Sequence, residues 1–116
     1  MIISGGENVY PSEVEALLRS NPKVKDVAVI GVPDRKWGER VHAVVILRDA
    51  VSSSSSSPDE LLAWCKDRIA GYKRPRSLSI IREEEMPRTA TGKILHRELK
   101  AGYAALPDVR NSRSSR

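Results

Sequence analysis

Two apolar runs, Val24 to Val32 and Val41 to Leu47, restrict the fold of this chain more than any other feature. Both are dense in β-branched residues and bounded by turn formers, so they predict two central, well-covered strands joined by a turn through Pro33 and Asp34. Helical patterns lie around them. Val14, Leu17 and Leu18 recur at helical spacing behind Pro11, with Ser12 and Glu15 as a capping box and Asn21-Pro22 as the stop. A second helix starts at Ser57, Pro58 and Glu60, buries Leu62, Cys65 and Ile69, and ends at Gly71, after a low-complexity loop over Ser52 to Ser57. Leu78 to Ile81 reads as a third short strand. A last helix, from about Leu95 to Ala105, sets Leu95, Leu99 and Tyr103 on one face. At the start, Ile2 to Ser4 and Asn8 to Tyr10 flank Gly5-Gly6, a pair suited to the positive φ angles of a tight hairpin. The expected fold class is α+β: an N-terminal β-hairpin followed by a three-stranded sheet packed with helices.

The chemistry is concentrated near the end of the chain, in Pro87-Arg88-Thr89-Ala90-Thr91-Gly92-Lys93-Ile94. Gly92-Lys93 resembles the tail of a phosphate-cradling P-loop, but that motif needs a glycine five residues before the pair and a Ser or Thr after it, where this chain has Pro87 and Ile94. What is left is a lysine on flexible small residues, with Ile94, Leu95 and Leu99 anchoring the downstream end against a core and the ammonium free to reach outward. A lysine that only caps a turn in water fits the same residues.

Composition narrows the classes further. The single cysteine, Cys65, has no partner for an internal disulfide and sits on an apolar helical face. No apolar run reaches membrane-spanning length, and no cleavable leader precedes the first motif, so a cytoplasmic location is expected. His42 and His96 lack the spacing of a metal site. Residues 1–70 hold nine Lys/Arg and ten Asp/Glu, whereas residues 71–116 hold eleven and five. That basic half suits a polyphosphate ligand or a nucleic acid, although Tyr72 is the one aromatic interleaved with its main cation cluster. Arg110, Arg113 and Arg116 lie among serines in a tail, residues 107–116, expected to be disordered.

Four segments, in order and spacing, resemble the C-terminal domain of the acyl-adenylate-forming superfamily, and its CoA ligase branch in particular: Gly5 to Glu15; Gly31-Val32-Pro33-Asp34 with Gly38-Glu39; Tyr72-Lys73-Arg74-Pro75-Arg76; and Pro87 to Lys93. The resemblance covers about residues 1 to 103, which implies a mobile domain over 1–106 whose large ATP- and acid-binding partner domain is absent, with the chain starting one step past the family's hinge residue. Such a piece is not expected to adenylate anything alone.

The resemblance also implies roles. Lys93 enters the active site in the first half-reaction and bridges the carboxylate and the α-phosphate of ATP, two anionic groups that otherwise repel. A compact ammonium on a long stem suits a crowded site better than a planar guanidinium. Gly5 and Gly6 line the channel for the pantetheine arm of CoA in the second half-reaction, after the domain has rotated, although turn geometry alone also explains two glycines. Trp37, Tyr72, Arg74 and Arg76, with Lys73 beside them, are implied contacts of the CoA nucleotide, against the plainer reading of Trp37 as a core plug and solvated cations. Trp64 reads as packing. The implied cofactors are ATP and CoA, with Mg2+ bound through the absent domain; the implied partners are that domain, a carboxylic acid and CoA, with no nucleic acid and no membrane span. A carrier-protein-dependent adenylation domain would share the Lys93 and glycine motifs but need less of the nucleotide site around Trp37 and Arg76. A non-catalytic basic module would show nucleic-acid affinity and no effect of losing Lys93.

Overall fold

The computed structural model describes residues 1–48 and 57–104. Its elements are β1 (Ile2–Ser4), β2 (Glu7–Val9), α1 (Pro11–Arg19), β3 (Val24–Asp34), β4 (Gly38–Leu47), α2 (Pro58–Cys65), β5 (Ser77–Ile81) and α3 (His96–Ala104), with short 3-10 turns at Gly71–Lys73 and Glu83–Glu85. The expected α+β architecture is present. β3 and β4 pair antiparallel from Val24↔Leu47 to Asp34↔Gly38. β5 lies parallel to β4 on its other flank, from His42↔Ser77 to Ile46↔Ile81. The β1/β2 hairpin joins the same sheet at the beginning of β4, through the pair Ser4↔Gly38 and a 2.8 Å bond from the Gly5 amide to the Trp37 carbonyl.

Strand alternation explains why the two central runs are apolar throughout. Val27, Val29, Val41, Ala43 and Val45 face one core with Val14 and Leu18 of α1 and Leu61 and Cys65 of α2. Their neighbours Ala28, Ile30, Val32, Val44 and Ile46 face a second core with Met86 and Leu99. A sheet covered on both sides has no solvent face to fill with polar residues.

Several local expectations give way to tertiary contacts. Pro33 and Asp34 stay in β3, paired with Glu39 and Gly38. The turn falls on 35–37, where the Asp34 carboxylate accepts from the amides of Lys36 (2.8 Å) and Trp37 (3.0 Å) and pairs with Arg40 (2.9 Å). An aspartate that caps the following amides shifts the reversal downstream. Burial pushes the Asp34 carboxyl up, but those amides and Arg40 outweigh it and hold it below the usual range. α2 begins as expected, with the Ser57 hydroxyl accepting from the Glu60 amide at 3.1 Å, yet it ends at Cys65 rather than Gly71. Lys66 is extended and Asp67 has φ 70°, so Leu61 takes the fully buried position and Leu62 and Ile69 are only partly covered. The serine run apart from Ser57 and the 107–116 tail lie outside the described residues.

The Ser12–Glu15 capping box does not form. Tyr10 is the N-cap of α1, and the Glu15 side chain, 7% exposed, turns instead to the outer edge of β3, where it accepts from the Val29 amide at 2.8 Å. His96 of α3 meets the same carboxylate oxygen at 2.6 Å, and Arg19 donates to the Val27 carbonyl at 3.2 Å. A strand edge under two helices would otherwise leave buried backbone groups unpaired, at about 1–3 kcal/mol each.

His42 is a buried polar feature of the second core. Its Nδ1 lies 2.6 Å from the Ser77 hydroxyl and its Nε2 2.9 Å from that of Ser79, with the Tyr103 ring tilted over it at 4.7 Å. Burial, helped by the charge of Arg40, holds its pKa down to about 3 from the ordinary 6.5. The unfolded chain therefore takes up a proton near pH 6.5 that the folded chain refuses until near pH 3, so this contribution to stability is complete above about 6.5 and is lost as the pH falls. Urea denaturation should show stability dropping between pH 6.5 and 5 with a slope approaching about 1.4 kcal/mol per pH unit, and His42→Gln should flatten it. An unchanged slope in the variant would assign the effect to other groups.

Candidate functional site

The Lys93 segment is a small closed hairpin rather than a loop anchored only downstream. Arg88 and Ile94 form an antiparallel bridge, the Thr89 amide donates to the Lys93 carbonyl at 2.8 Å, and the Leu95 amide donates to the Pro87 carbonyl at 2.9 Å. Inside it, the Gly92 amide closes a turn on the Thr89 carbonyl at 2.9 Å, and the Lys93 amide donates to the Thr89 hydroxyl at 3.1 Å. Gly92 has φ +93°, a backbone state that side-chain-bearing residues rarely adopt. Ile94 packs against the second core, so the tip is held from both ends while Lys93 itself is exposed. Among the described residues, none forms a hydrogen bond or ion pair with its ammonium.

A second cluster forms at the beginning of β4. The Arg76 guanidinium lies 4.0 Å from the centroid of the Trp37 ring, with the Lys36 ammonium 5.1 Å from it. Gly5 sits against the same indole: a Cβ there would lie 2.8 Å from Trp37 Cε3. Arg76 is held in place through its amide, which donates to the Val41 carbonyl at 2.9 Å. Arg74 and Arg76, with Lys66, Leu62, Ala63 and Pro75, line an open cleft of about 380 Å³. Three cations around one cleft and a cation-stacked indole beside it make a surface suited to a phosphorylated aromatic ligand.

Of the residues singled out in the sequence, the fold thus gathers Gly5, Trp37, Arg74 and Arg76. Gly6 faces open space, and Tyr72 is 42% exposed. Lys73 stands 5.6 Å from the Tyr72 ring but turns to Glu13 of α1 at 3.0 Å, a hydrogen bond that raises its pKa. Lys93 lies on the turn ahead of α3 next to Ile94, which packs on the second core, whereas the α2 residues of the cleft border the first. Lys66 and Arg88 were given no role by sequence. Lys66 lines the cleft from the extended C-cap of α2, and Arg88 lies inside the quoted motif with one of its carboxylate partners, Asp26, 62 positions away. No group of three His, Cys, Asp or Glu capable of holding a metal occurs among the described residues.

The profile of the AMP-binding enzyme C-terminal domain matches residues 13–93. This chain belongs to that family. Relatives include a feruloyl-CoA synthase of Amycolatopsis, 51% identical over 103 residues, with 89% of this chain and 20% of the relative covered. A long-chain-fatty-acid CoA ligase of Mycobacterium tuberculosis is 45% identical, covering 90% and 20%. Among solved structures, a Mycobacterium tuberculosis fatty acyl CoA synthetase superposes with a TM-score of 0.80 at 44% identity, over 90% of this chain and 20% of that one. The chain spans about a fifth of the length of the curated relatives it matches. These relatives, with a 2-succinylbenzoate CoA ligase of Bacillus subtilis, are acyl- and aryl-CoA ligases.

Proposed function

We propose that this domain is the mobile part of an ATP-dependent acid CoA ligase, which first joins a carboxylic acid to AMP and then transfers the acyl group to CoA. The presentation of Lys93 carries the reading: an exposed lysine, unpaired among the described residues, stands at the end of a turn closed by backbone bonds. In that role Lys93 reaches the carboxylate and α-phosphate oxygens held by a large partner domain and offsets the negative charge of the transition state. Mg2+ would be bound by that large domain, as the resemblance to the family implies. The acid is chosen there too. No helix among the described residues is long and apolar enough to cross a membrane.

Gly5, Trp37, Arg74 and Arg76 would serve the second half-reaction. The absence of a Cβ at Gly5 lets the indole seat directly against the hairpin, where it would flank the pantetheine arm, while the arginines would face the nucleotide phosphates. This basic cleft favours free CoA over a carrier protein, whose tethered pantetheine brings no nucleotide. The reading is tested in an enzyme carrying the large domain, in a Trp64→Phe background that removes this chain's other indole, which lies in α2. CoA should change Trp37 fluorescence, and Arg76→Ala should raise KM for CoA about tenfold, the scale of losing one charge-assisted contact. Adenylation should stay within about twofold, since Arg76 has no part in that step. Fluorescence unmoved by saturating CoA, or acceptance of a carrier in place of CoA, would move the domain to the carrier-dependent class.

A further inference from the structure

We infer that Arg88 is the positioning residue for Lys93, holding the carbonyl side of the peptide that joins Gly92 to Lys93. The inference rests on the reading of Lys93 as the adenylation lysine.

Gly92 makes the turn possible and also weakens it. A residue without Cβ moves between backbone states at little penalty, so the peptide joining Gly92 to Lys93 needs outside anchors, and on its amide side the Thr89 hydroxyl supplies one at 3.1 Å. The carbonyl of that peptide is bonded to Arg88, whose Nη1 donates to it at 2.9 Å. The same guanidinium is anchored at its other two nitrogens: Nη2 donates to Asp26 at 3.0 Å and Nε to Glu83 at 2.8 Å.

Asp26 is itself fixed to the edge of the sheet. Its other oxygen accepts from the Val27 amide at 2.8 Å and from Arg19 of α1 at 3.1 Å. Burial pushes the Asp26 carboxyl up, and the Val27 amide, Arg88 and Arg19 together hold it below the usual range. Lys25 stands 3.6 Å from Glu83, on the oxygen that Arg88 does not use. A continuous path of charge-assisted bonds thus runs from β3 through Asp26 and Arg88 to the Gly92 carbonyl, and the next residue is Lys93. Lysine in place of Arg88 has neither the fork nor the reach for three directed bonds at once.

Misplacing a reacting group by about 1 Å can cost on the order of 100-fold in rate. In an enzyme carrying the large domain, Arg88→Ala is expected to lower kcat for acyl-adenylate formation about 10- to 100-fold. KM for acid and ATP, and thioester formation from synthetic adenylate, should stay within about threefold of wild type, because neither uses the Gly92–Lys93 peptide. Arg88→Lys should recover little. Once Lys93→Ala is present, adding Arg88→Ala should slow adenylation no further, since a residue acting only through Lys93 has nothing left to position.

Equal loss in both half-reactions, or a further tenfold loss on the Lys93→Ala background, would overturn the assignment. So would a wild-type rate in Arg88→Ala while Lys93→Ala is crippled, an outcome that leaves the role of Lys93 intact. Full adenylation by Lys93→Ala itself would remove both. Should Arg88→Ala fail to fold, Glu83→Gln loosens the exposed anchor alone. A selective adenylation decrease of about threefold supports the role, and an unchanged rate counts against it.

Discussion

Lys93→Ala, in an enzyme carrying the large domain, is expected to slow acyl-adenylate formation by at least about 100- to 1,000-fold, the range seen when one preorganised charge-stabilising group is removed from a transition state. Thioester formation from synthetic adenylate should stay within about twofold. The asymmetry follows from the geometry. Lys93 and the Gly5–Trp37–Arg76 cluster sit on different elements, one ahead of α3 and the other at the beginning of β4, so removing the ammonium leaves the second surface untouched. The fold should also survive, because the exposed side chain has no bond to lose among the described residues and the turn is closed by backbone groups. Following adenylate formation by pyrophosphate release and thioester formation by free-thiol loss reads the two steps separately. Equal impairment of both would mean that Lys93 supports the domain rather than the first reaction.

Gly5→Ala should produce the opposite pattern. The new Cβ would meet Trp37 Cε3 at 2.8 Å, a distance such atoms do not tolerate, and φ +60° adds about 1–2 kcal/mol of backbone strain. The Arg76 guanidinium already lies 4.0 Å from the centroid of that ring, and the Gly5 amide is tied to the Trp37 carbonyl, so relieving the clash disturbs both contacts. Thioester formation is expected to lose about tenfold or more in kcat/KM for CoA, with adenylation near wild type and urea stability lowered by about 1–2 kcal/mol. Gly6→Ala provides the control. Its φ is +84°, but a Cβ there meets open space, so it carries the strain without displacing the ring. If both variants lose CoA turnover alike, strain in the hairpin is responsible and the Trp37 contact is incidental.

The features legible in the sequence were those set by local pattern. Continuous apolar runs announced a sheet covered on both faces, and Gly5-Gly6 announced a hairpin, because burial and positive φ act residue by residue. Glu15 misled for an instructive reason. Its position fits a capping box, but an unpaired amide on the edge of β3 competes for the same carboxylate, and nothing near residue 15 reveals that Val29 will lie beside it. The site behaves the same way. Lys93 was visible in its motif, whereas the clamp of Arg88 on Asp26 spans 62 positions and the contact of Gly5 with Trp37 exists only after β1 docks on β4. The turn placed at Pro33-Asp34 moved downstream because Asp34 caps the amides of Lys36 and Trp37, which in turn sets where the indole stands.

The buried imidazole works as a key that only one alignment of β5 can fit. His42 reaches Ser77 with one nitrogen and Ser79 with the other, two hydroxyls on the same face of the strand. Sliding β5 by a single residue would carry both serines to the opposite face and set Leu78 and Ile80 against the ring, leaving two buried polar atoms unanswered. The same slip would move Arg76, immediately ahead of Ser77, by about 3.3 Å along the strand and off the indole it now covers. A buried residue with no exposed atom to offer a ligand therefore proofreads the assembly of the surface that would receive one.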